Sequence, residues 1–392
     1  MRRIKYGQQD INDDDIKAVN DVLRSEFLTQ GPAVPDFETA VATSCNAKHA
    51  VAVNSATSAL HIACMALNVG EGDIVWTSPI TFVATSNAAL YCGADIDFVD
   101  IDKDTYNISI ERLKEKLAAA ETVGKLPTVL IVVHLTGQSG QMAEAYSLGQ
   151  KYGFKIIEDA SHAVGAQYKG TPVGDCRFSD ITVFSFHPVK IITSGEGGML
   201  LMNEDLLAER ARYFRTHGIT GDRELMEPRS SAELWNYQQI ALGFNYRMSD
   251  IHAALGRSQF NRTEDFVNKR QQIAADYNER LADLPVRLPF QHEDTRSSFH
   301  LYVIRLNLDE IDINKVTAYH RFQEKGVLVN FHYIPVYRHP YYANRFNFKP
   351  EDFPESERYF LDALSIPMHS QLCEEDIEYT SEVVKDVVFS KS

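Results

Sequence analysis

The sequence predicts an α/β protein whose larger part is a mainly parallel sheet covered by helices on both faces, followed by a smaller α+β region. Three observations predict it. Short apolar runs rich in β-branched residues alternate with helix-period segments through the first two-thirds of the chain. The pattern changes after Asp250, where a long, charged, amphipathic stretch begins. The 392 residues and their 44% hydrophobic content suit one large core and a second, smaller one.

The elements follow in order. "HAVAV", "DIVWTS", "DIDFVDID", "TVLIVVHL", "KIIEDA", "ITVFSF" and "GMLLM" are the strand-like runs. Between them, "SATSALHIACMAL" places Ala56, Ala59, Leu60, Ala63, Cys64 and Leu67 on one helical face. "TFVATSNAALYCG" carries a helix stop at Gly93, and "IERLKEKLAAAE" and "MAEAYSLGQKYG" are helical in period. Strands alternating with helices make a sheet whose ligands collect at the strand C-terminal ends. Beyond Asp250, "IHAALGRSQFNRTEDFVNKRQQIAADYNERLADL" reads as a helical connector. "FHLYVIRLNL" supplies a strand, "NKVTAYHRFQEKG" a helix and "VLVNFHYIP" a further strand. No linker composition marks the boundary, so domains of 1–250 and 251–392 are expected to within ten residues or so.

The bulk composition narrows the function classes. A formal net charge of −15 argues against nucleic acid or an anionic membrane as the main partner, but not against a small anion in a local pocket. No stretch approaches a membrane span. The five cysteines (Cys45, Cys64, Cys92, Cys176 and Cys373) are scattered, without a CxxC, as in a cytoplasmic protein with reduced thiols. The start has basic residues but no apolar run, so no signal peptide is expected there. Thirteen histidines form no HExxH or comparable pairing, and no metal is expected.

Three segments could carry chemistry. In "SFHPVKIITSGEGG", Lys190 stands among apolar neighbours at a strand end. It is either a reactive amine with a shifted pKa or a lysine snorkelling to the surface. In "IIEDASHAVGA", Asp159 ends a buried strand and is either a solvated loop residue or a fixed charge aimed at a ligand. "NSATSAL", residues 54–60, joins a strand to a helix N-terminus, where either a plain N-cap or a phosphate fits. There is no GxGxxG and no GxxxxGK[ST], so dinucleotide and P-loop readings have no support. A phosphate cup, an aspartate and a lysine at the strand ends of one sheet are together what pyridoxal phosphate needs.

The ordered motifs "LTQGP", "AVAVNSATSAL", "SPITFVATSNAALYCGA", "EDASHAVGA", "SFHPVKIITSGEGGML" and "GFNYRMSDIHAALG" resemble the sugar-modifying aminotransferases of the DegT/DnrJ/EryC1/StrS family over nearly the whole chain. The resemblance implies fold type I of the pyridoxal-phosphate enzymes, with a mainly parallel seven-stranded sheet. It further implies pyridoxal 5'-phosphate as cofactor. "SFHPVKIIT", "NFHYIPVYRHPYY" and "SIPMH" resemble the branch serving pseudaminic acid biosynthesis. That branch implies L-glutamate as donor and a UDP-linked 4-keto-6-deoxy-N-acetylhexosamine as acceptor.

Roles carry over by the same resemblance. Lys190 matches the Schiff-base lysine, and Asp159 the carboxylate on the pyridine nitrogen. His162 matches the partner of the cofactor's phenolic oxygen, and Phe82 the stacking aromatic. Ala56, Thr57 and Ser185 match the phosphate site. Asn245 matches an asparagine given to the phosphate by a neighbouring subunit, which implies a homodimer with shared sites. Tyr6, Glu26, Phe27, Leu28, Thr29, His187, Asn330, Phe331, His332 and Tyr333 resemble positions lining the nucleotide-sugar site. Tyr6 could instead only pin the N-terminus, "NFHY" could be an ordinary strand, and Tyr337, Tyr341 and Tyr342 read as domain packing. Relatives that deoxygenate sugars carry histidine where Lys190 stands, so the lysine points away from that branch. A non-enzymatic regulator on the same fold is opposed by the intact set of Lys190, Asp159, His162 and Thr57.

Overall fold

The computed structural model describes residues 3–228, 230 and 236–390. Seven strands form the large sheet: β1 (His49–Val53), β2 (Ile74–Thr77), β3 (Asp95–Phe98), β4 (Val129–Val133), β5 (Lys155–Asp159), β6 (Ile181–Ser185) and β7 (Gly198–Met202). These are the seven predicted runs, in the spatial order β1-β7-β6-β5-β4-β2-β3. Only β7 runs against the others, pairing antiparallel with both β1 and β6. Strands β4, β6 and β7 are buried at every position, as a sheet covered on both faces requires.

The register sets up one working edge. Gly198, which opens β7, pairs with Val53 at the end of β1 and with Ser185 at the end of β6. The loop 186–197 therefore leaves and re-enters the sheet at its C-terminal edge, and Lys190 lies on that loop. Asp159 ends β5 at the same edge, one strand over, and its backbone pairs with Val133 of β4 and Val183 of β6.

Six helices matter for the site. In chain order they are α1 (Asp13–Leu23), α2 (Ala33–Cys45), α3 (Ala56–Ala66), α4 (Val83–Tyr91), α5 (Asp250–Phe260) and α6 (Thr263–Leu281). The predicted connector is thus two helices rather than one. Arg262 leaves helical geometry (φ −103°, ψ 9°), and its guanidinium reaches Asp15 at 2.6 Å. This break lets α5 pack on α1 and α2 while α6 turns away. Phe266 and Val267 of α6 join a core with Phe37, Phe184 and Phe186, whereas Ile273, Ala274, Tyr277 and Leu281 join the C-terminal core.

The C-terminal region has a three-stranded antiparallel sheet of β8 (Val286–Arg287), β9 (Tyr302–Leu306) and β10 (Ala363–Ile366). The predicted strand in "FHLYVIRLNL" is β9, and the predicted helix is Lys315–Glu324. The strand expected in "VLVNFHYIP" does not form. Its backbone is held at two isolated bridges, Val327 with Ile4 and Asn330 with Ser365. Its apolar character instead serves two purposes, Val327 and Val329 filling the core and 330–333 turning into the pocket. Among the described residues, no helix is long and apolar enough to cross a membrane.

Candidate active site

The C-terminal ends of β1, β4, β5 and β6 and the segment 330–333 enclose a cavity of about 390 Å³. Lys190 and Asp159 both line it. The Lys190 side chain has no hydrogen bond or ion pair with another described residue, and its position in the loop is fixed through its backbone N–H, which donates to His187 O at 2.9 Å. Burial pushes its ammonium down to about 8 against the opposing attraction of Asp159. An amine so shifted has a far larger neutral fraction near physiological pH than an ordinary lysine, and that fraction can accept a proton.

Asp159 is buried and held from both sides. Its Oδ2 accepts from Thr85 Oγ1 at 2.7 Å, and its Oδ1 accepts from Ser161 Oγ at 2.6 Å and Ser161 N at 3.2 Å. Thr81 Oγ1 lies 2.8 Å from Thr85 Oγ1, so with Thr85 donating to the carboxylate, Thr81 donates to Thr85. This relay runs from the β2–α4 turn to β5. Donors to both oxygens satisfy a buried carboxylate and fix its orientation. Beneath it, the neighbouring Glu158 points the other way and takes a 2.7 Å bond from His134 Nε2.

Besides His187 on the Lys190 loop, three imidazoles flank the cavity. Thr136 N–H donates to His162 Nδ1 at 3.3 Å, which leaves the proton on Nε2, 3.1 Å from Tyr333 Oη. His162 thus has both nitrogens engaged by protein, and a bond to a ligand would come at the expense of Tyr333. His300 packs against it with ring centroids 4.3 Å apart, and its Nδ1 is buried without a partner. His332 bonds Ser365 Oγ through Nδ1 at 2.8 Å and faces the Tyr6 ring at 5.4 Å. Burial, with Lys190 adding, holds all three well below the usual histidine range, His332 to about 3. They are therefore neutral, and among the described residues Lys190 is the one lysine or arginine lining the cavity.

The residues fit pyridoxal phosphate. The Ser55 side chain caps α3 by accepting from Ser58 N–H, and the N–H groups of Ala56 and Thr57 have no partner among the described residues. A Cβ on Gly198 would lie 2.5 Å from Ser55 C and 2.6 Å from Ala56 N, so glycine lets β7 back directly onto this cup. Ser185, buried at the end of β6, turns to the same cavity. Phe82, the N-cap of α4, is 58% exposed yet lines the cavity, with its ring 6.1 Å from that of Tyr333. An exposed aromatic on a cavity wall is free to cover a planar ligand.

Most of the predicted residues meet here: Tyr6, Ala56, Thr57, Phe82, Asp159, His162, Ser185, His187, Lys190, Asn330, Phe331, His332 and Tyr333 all line the cavity. Asn245, Glu26, Phe27, Leu28 and Thr29 do not. All five are exposed, and Leu28 and Thr29 pair with Asp250 and Ser249, a few residues from Asn245. Thr81, Thr85, Ser161 and His300 are additions. Ser161 carried a signal, since a serine two residues after an aspartate is an Asx-turn pattern. The i,i+4 spacing of Thr81 and Thr85 was a weaker one, and nothing local marked His300.

Neutral imidazoles around one depressed lysine, facing a doubly held carboxylate and an open helix N-terminus, suit pyridoxal phosphate, and the class is that of the aminotransferases that use it. The chain belongs to the DegT/DnrJ/EryC1/StrS aminotransferase family, whose model matches residues 9–385. It is 36% identical over 389 residues to the spore coat polysaccharide biosynthesis protein SpsC of Bacillus subtilis, covering 98% of this chain and 97% of that one. It is also 36% identical over 389 residues to the UDP-4-amino-4,6-dideoxy-N-acetyl-beta-L-altrosamine transaminase of Campylobacter jejuni, covering 99% and 97%. Among solved structures, it matches Helicobacter pylori PseC, an aminotransferase involved in the biosynthesis of pseudoaminic acid, at a TM-score of 0.88 and 29% identity over 99% of both chains. Streptococcus pneumoniae Spr1654, solved in its PLP form, matches at a TM-score of 0.88 and 26% identity over 99% of both chains.

Proposed function

We propose that the protein transfers the amino group of L-glutamate to C4 of UDP-2-acetamido-2,6-dideoxy-β-L-arabino-hexos-4-ulose. The product is UDP-4-amino-4,6-dideoxy-N-acetyl-β-L-altrosamine, a step of pseudaminic acid biosynthesis. The observation that carries aminotransfer is Lys190, proton-accepting and unpaired, in one cavity with the buried Asp159. The choice of sugar is supported by full-length similarity to the Campylobacter transaminase and to PseC. SpsC, at the same identity, favours as second reading another nucleotide-linked keto sugar bound for a polysaccharide.

When bound, the cofactor supplies a sink for the electrons left as the donor loses its α-proton. Asp159 would keep a proton on the pyridine nitrogen, and Thr85 and Ser161 hold its carboxylate in place for that task. Lys190 Nζ takes the proton from the donor's α-carbon and later gives one to C4 of the sugar. Ala56 and Thr57 N–H, with the Thr57 and Ser185 hydroxyls, hold the phosphate. Phe82 covers one face of the ring and excludes water. His162 holds Tyr333, and with Tyr6, His187, Asn330, Phe331 and His332 these side chains shape the sugar side. Asn245 and the segment Glu26, Phe27, Leu28 and Thr29, exposed outside their own cavity, complete the site of a partner subunit in a cytoplasmic homodimer.

The test is a panel of UDP-, dTDP- and GDP-linked 4-keto sugars with L-glutamate, read by product NMR. Amination of the UDP-linked acceptor at C4 is expected. Amination of a dTDP- or GDP-linked sugar instead sinks the proposed acceptor, and no amination of any member sinks the enzyme reading.

A further inference from the structure

One buried imidazole of the cavity has no task in the reaction described above. His300 lies just before β9 and is 3% exposed. Its backbone is set from two sides. On one, the loop after β4 approaches, with Ser298 N–H donating to Gly137 O at 3.0 Å and Leu301 N–H to Thr136 O at 3.2 Å. Gly137 has φ +105°, and a Cβ there would lie 3.0 Å from both His300 N and His162 O, so glycine is what lets these segments meet. On the other side Arg270, buried on α6, donates from Nη1 to Phe299 O at 3.0 Å and to His300 O at 3.2 Å.

The ring is as constrained as the backbone, yet its nitrogens are unused. It packs against His162 with centroids 4.3 Å apart and planes tilted by 54°. Nδ1 is enclosed without a partner, and Nε2 has no hydrogen bond among the described residues and stays open to the cavity. The imidazoles beside it are occupied, His162 by Thr136 N–H and the Tyr333 hydroxyl, and His332 by Ser365. Among the described residues, His300 is the one that lines the cavity with a buried polar atom orphaned. With no acceptor at Nδ1, the proton of the neutral ring belongs on Nε2, where a ligand oxygen can take it.

We propose that His300 is a donor-binding residue, its Nε2–H holding the α-carboxylate of the amino donor. This rests on the aminotransferase reading given above. In pyridoxal phosphate the phenolic oxygen and the aldehyde carbon are on neighbouring ring atoms. A group packed on His162, the expected partner of that oxygen, therefore stands beside the reacting carbon. The donor's α-carboxylate is two bonds from the nitrogen that joins there. Lys190 is the one lysine or arginine lining the cavity among the described residues, and it is engaged with the α-proton. On this chain the carboxylate is thus met by neutral donors. Neutrality also suits a place used twice, because the uncharged ring of the keto sugar follows the carboxylate into it. A guanidinium there would be left as an unpaired buried charge in the second half of the cycle.

Holoenzyme of wild type, His300→Phe, His300→Gln and His300→Asn is compared in three ways: bleaching by L-glutamate, return of the colour with the UDP-linked 4-keto sugar, and calorimetric binding of α-methyl-L-glutamate, which has no α-proton to lose. His300→Phe keeps a ring against His162. It is expected to raise half-saturation by L-glutamate, and the dissociation constant of α-methyl-L-glutamate, by about ten- to a hundredfold, the range of a hydrogen bond to a charged group. Half-saturation by the sugar should stay near that of wild type. Gln carries an N–H near the Nε2 position and should recover most of the loss, whereas Asn reaches only the Nδ1 position and should not. Donor binding in His300→Phe equal to wild type overturns the proposal, as does equal weakening of donor and sugar, or rescue by Asn in place of Gln. Where no variant folds, wild type decides: L-glutamate α-amide, whose α-carboxylate charge is gone, bleaching the cofactor as well as L-glutamate overturns it. A wild type that no amino donor bleaches sinks the aminotransferase reading, and this inference with it.

Discussion

Thr85→Val removes one hydroxyl from the site and almost nothing else in volume. In the native chain, that hydroxyl gives Asp159 Oδ2 a 2.7 Å bond and takes one from Thr81 at 2.8 Å. Asp159 keeps Ser161 on its other oxygen, so the variant leaves a buried carboxylate with one oxygen undonated and a buried Thr81 hydroxyl without its partner. A hydrogen bond to a charged group contributes about 1.5–3 kcal/mol. The loss is therefore expected to lower the unfolding free energy of the apoprotein by about 2 kcal/mol and, because the carboxylate is then fixed through one oxygen only, to slow the donor half-reaction by about tenfold. Urea unfolding reads the first, and the rate of cofactor bleaching by L-glutamate alone reads the second. Thr85→Ser restores the hydroxyl and should recover most of both. A Thr85→Val protein equal to wild type in stability and in rate, or a Thr85→Ser protein as impaired as Thr85→Val, refutes the relay.

Further outcomes are expected. Lys190→Ala should still bind cofactor but lose transamination by a factor on the order of 10²–10⁴ or more, the usual contribution of a general base; transamination at the normal rate would remove Lys190 from the mechanism. In the apoprotein, burial lowers the Lys190 pKa to about 8, so its acylation should rise with pH with a half-maximum near about 8, where ordinary lysines are still protonated. A half-maximum near 10.5 would mean that the ammonium is solvated. Gly198→Ala drives a Cβ onto the Ser55 and Ala56 backbone, so dialysis should strip its cofactor faster than that of wild type. Asn245→Ala should shed cofactor as well, and mixing it with Lys190→Ala should restore activity in dimers holding one intact shared site. Absence of that complementation counts against sharing.

Much of the site was legible because its residues are strand ends. Lys190, Asp159, Ser185, Ala56 and Thr57 each follow an apolar run, and in a parallel sheet those ends must share an edge. Chemistry then named what such a set could hold. The strand expected at 327–335 went wrong for a physical reason. Its apolar residues fit a strand's composition, but Ile4 and Ser365 each offer only one bridge, so no ladder propagates. The long helix after Asp250 went wrong because what interrupts it, the Arg262 guanidinium reaching Asp15, joins residues 247 positions apart.

The sequence by itself determined the alternating architecture, the seven strands of the large sheet and the identity of the groups that do chemistry. Those follow from local hydrophobic period and from the ends that the period defines. Only the tertiary structure decided what those groups meet. It put Thr85 and Thr81 behind Asp159, packed His300 at a tilt against His162, and left the Lys190 side chain without a hydrogen bond or ion pair among the described residues. It also left Asn245 and residues 26–29 outside the cavity of their own chain. The reason is that burial and hydrogen bonding are properties of packed neighbours. A pKa or a tautomer exists only once segments far apart in the chain have been brought within a few ångströms.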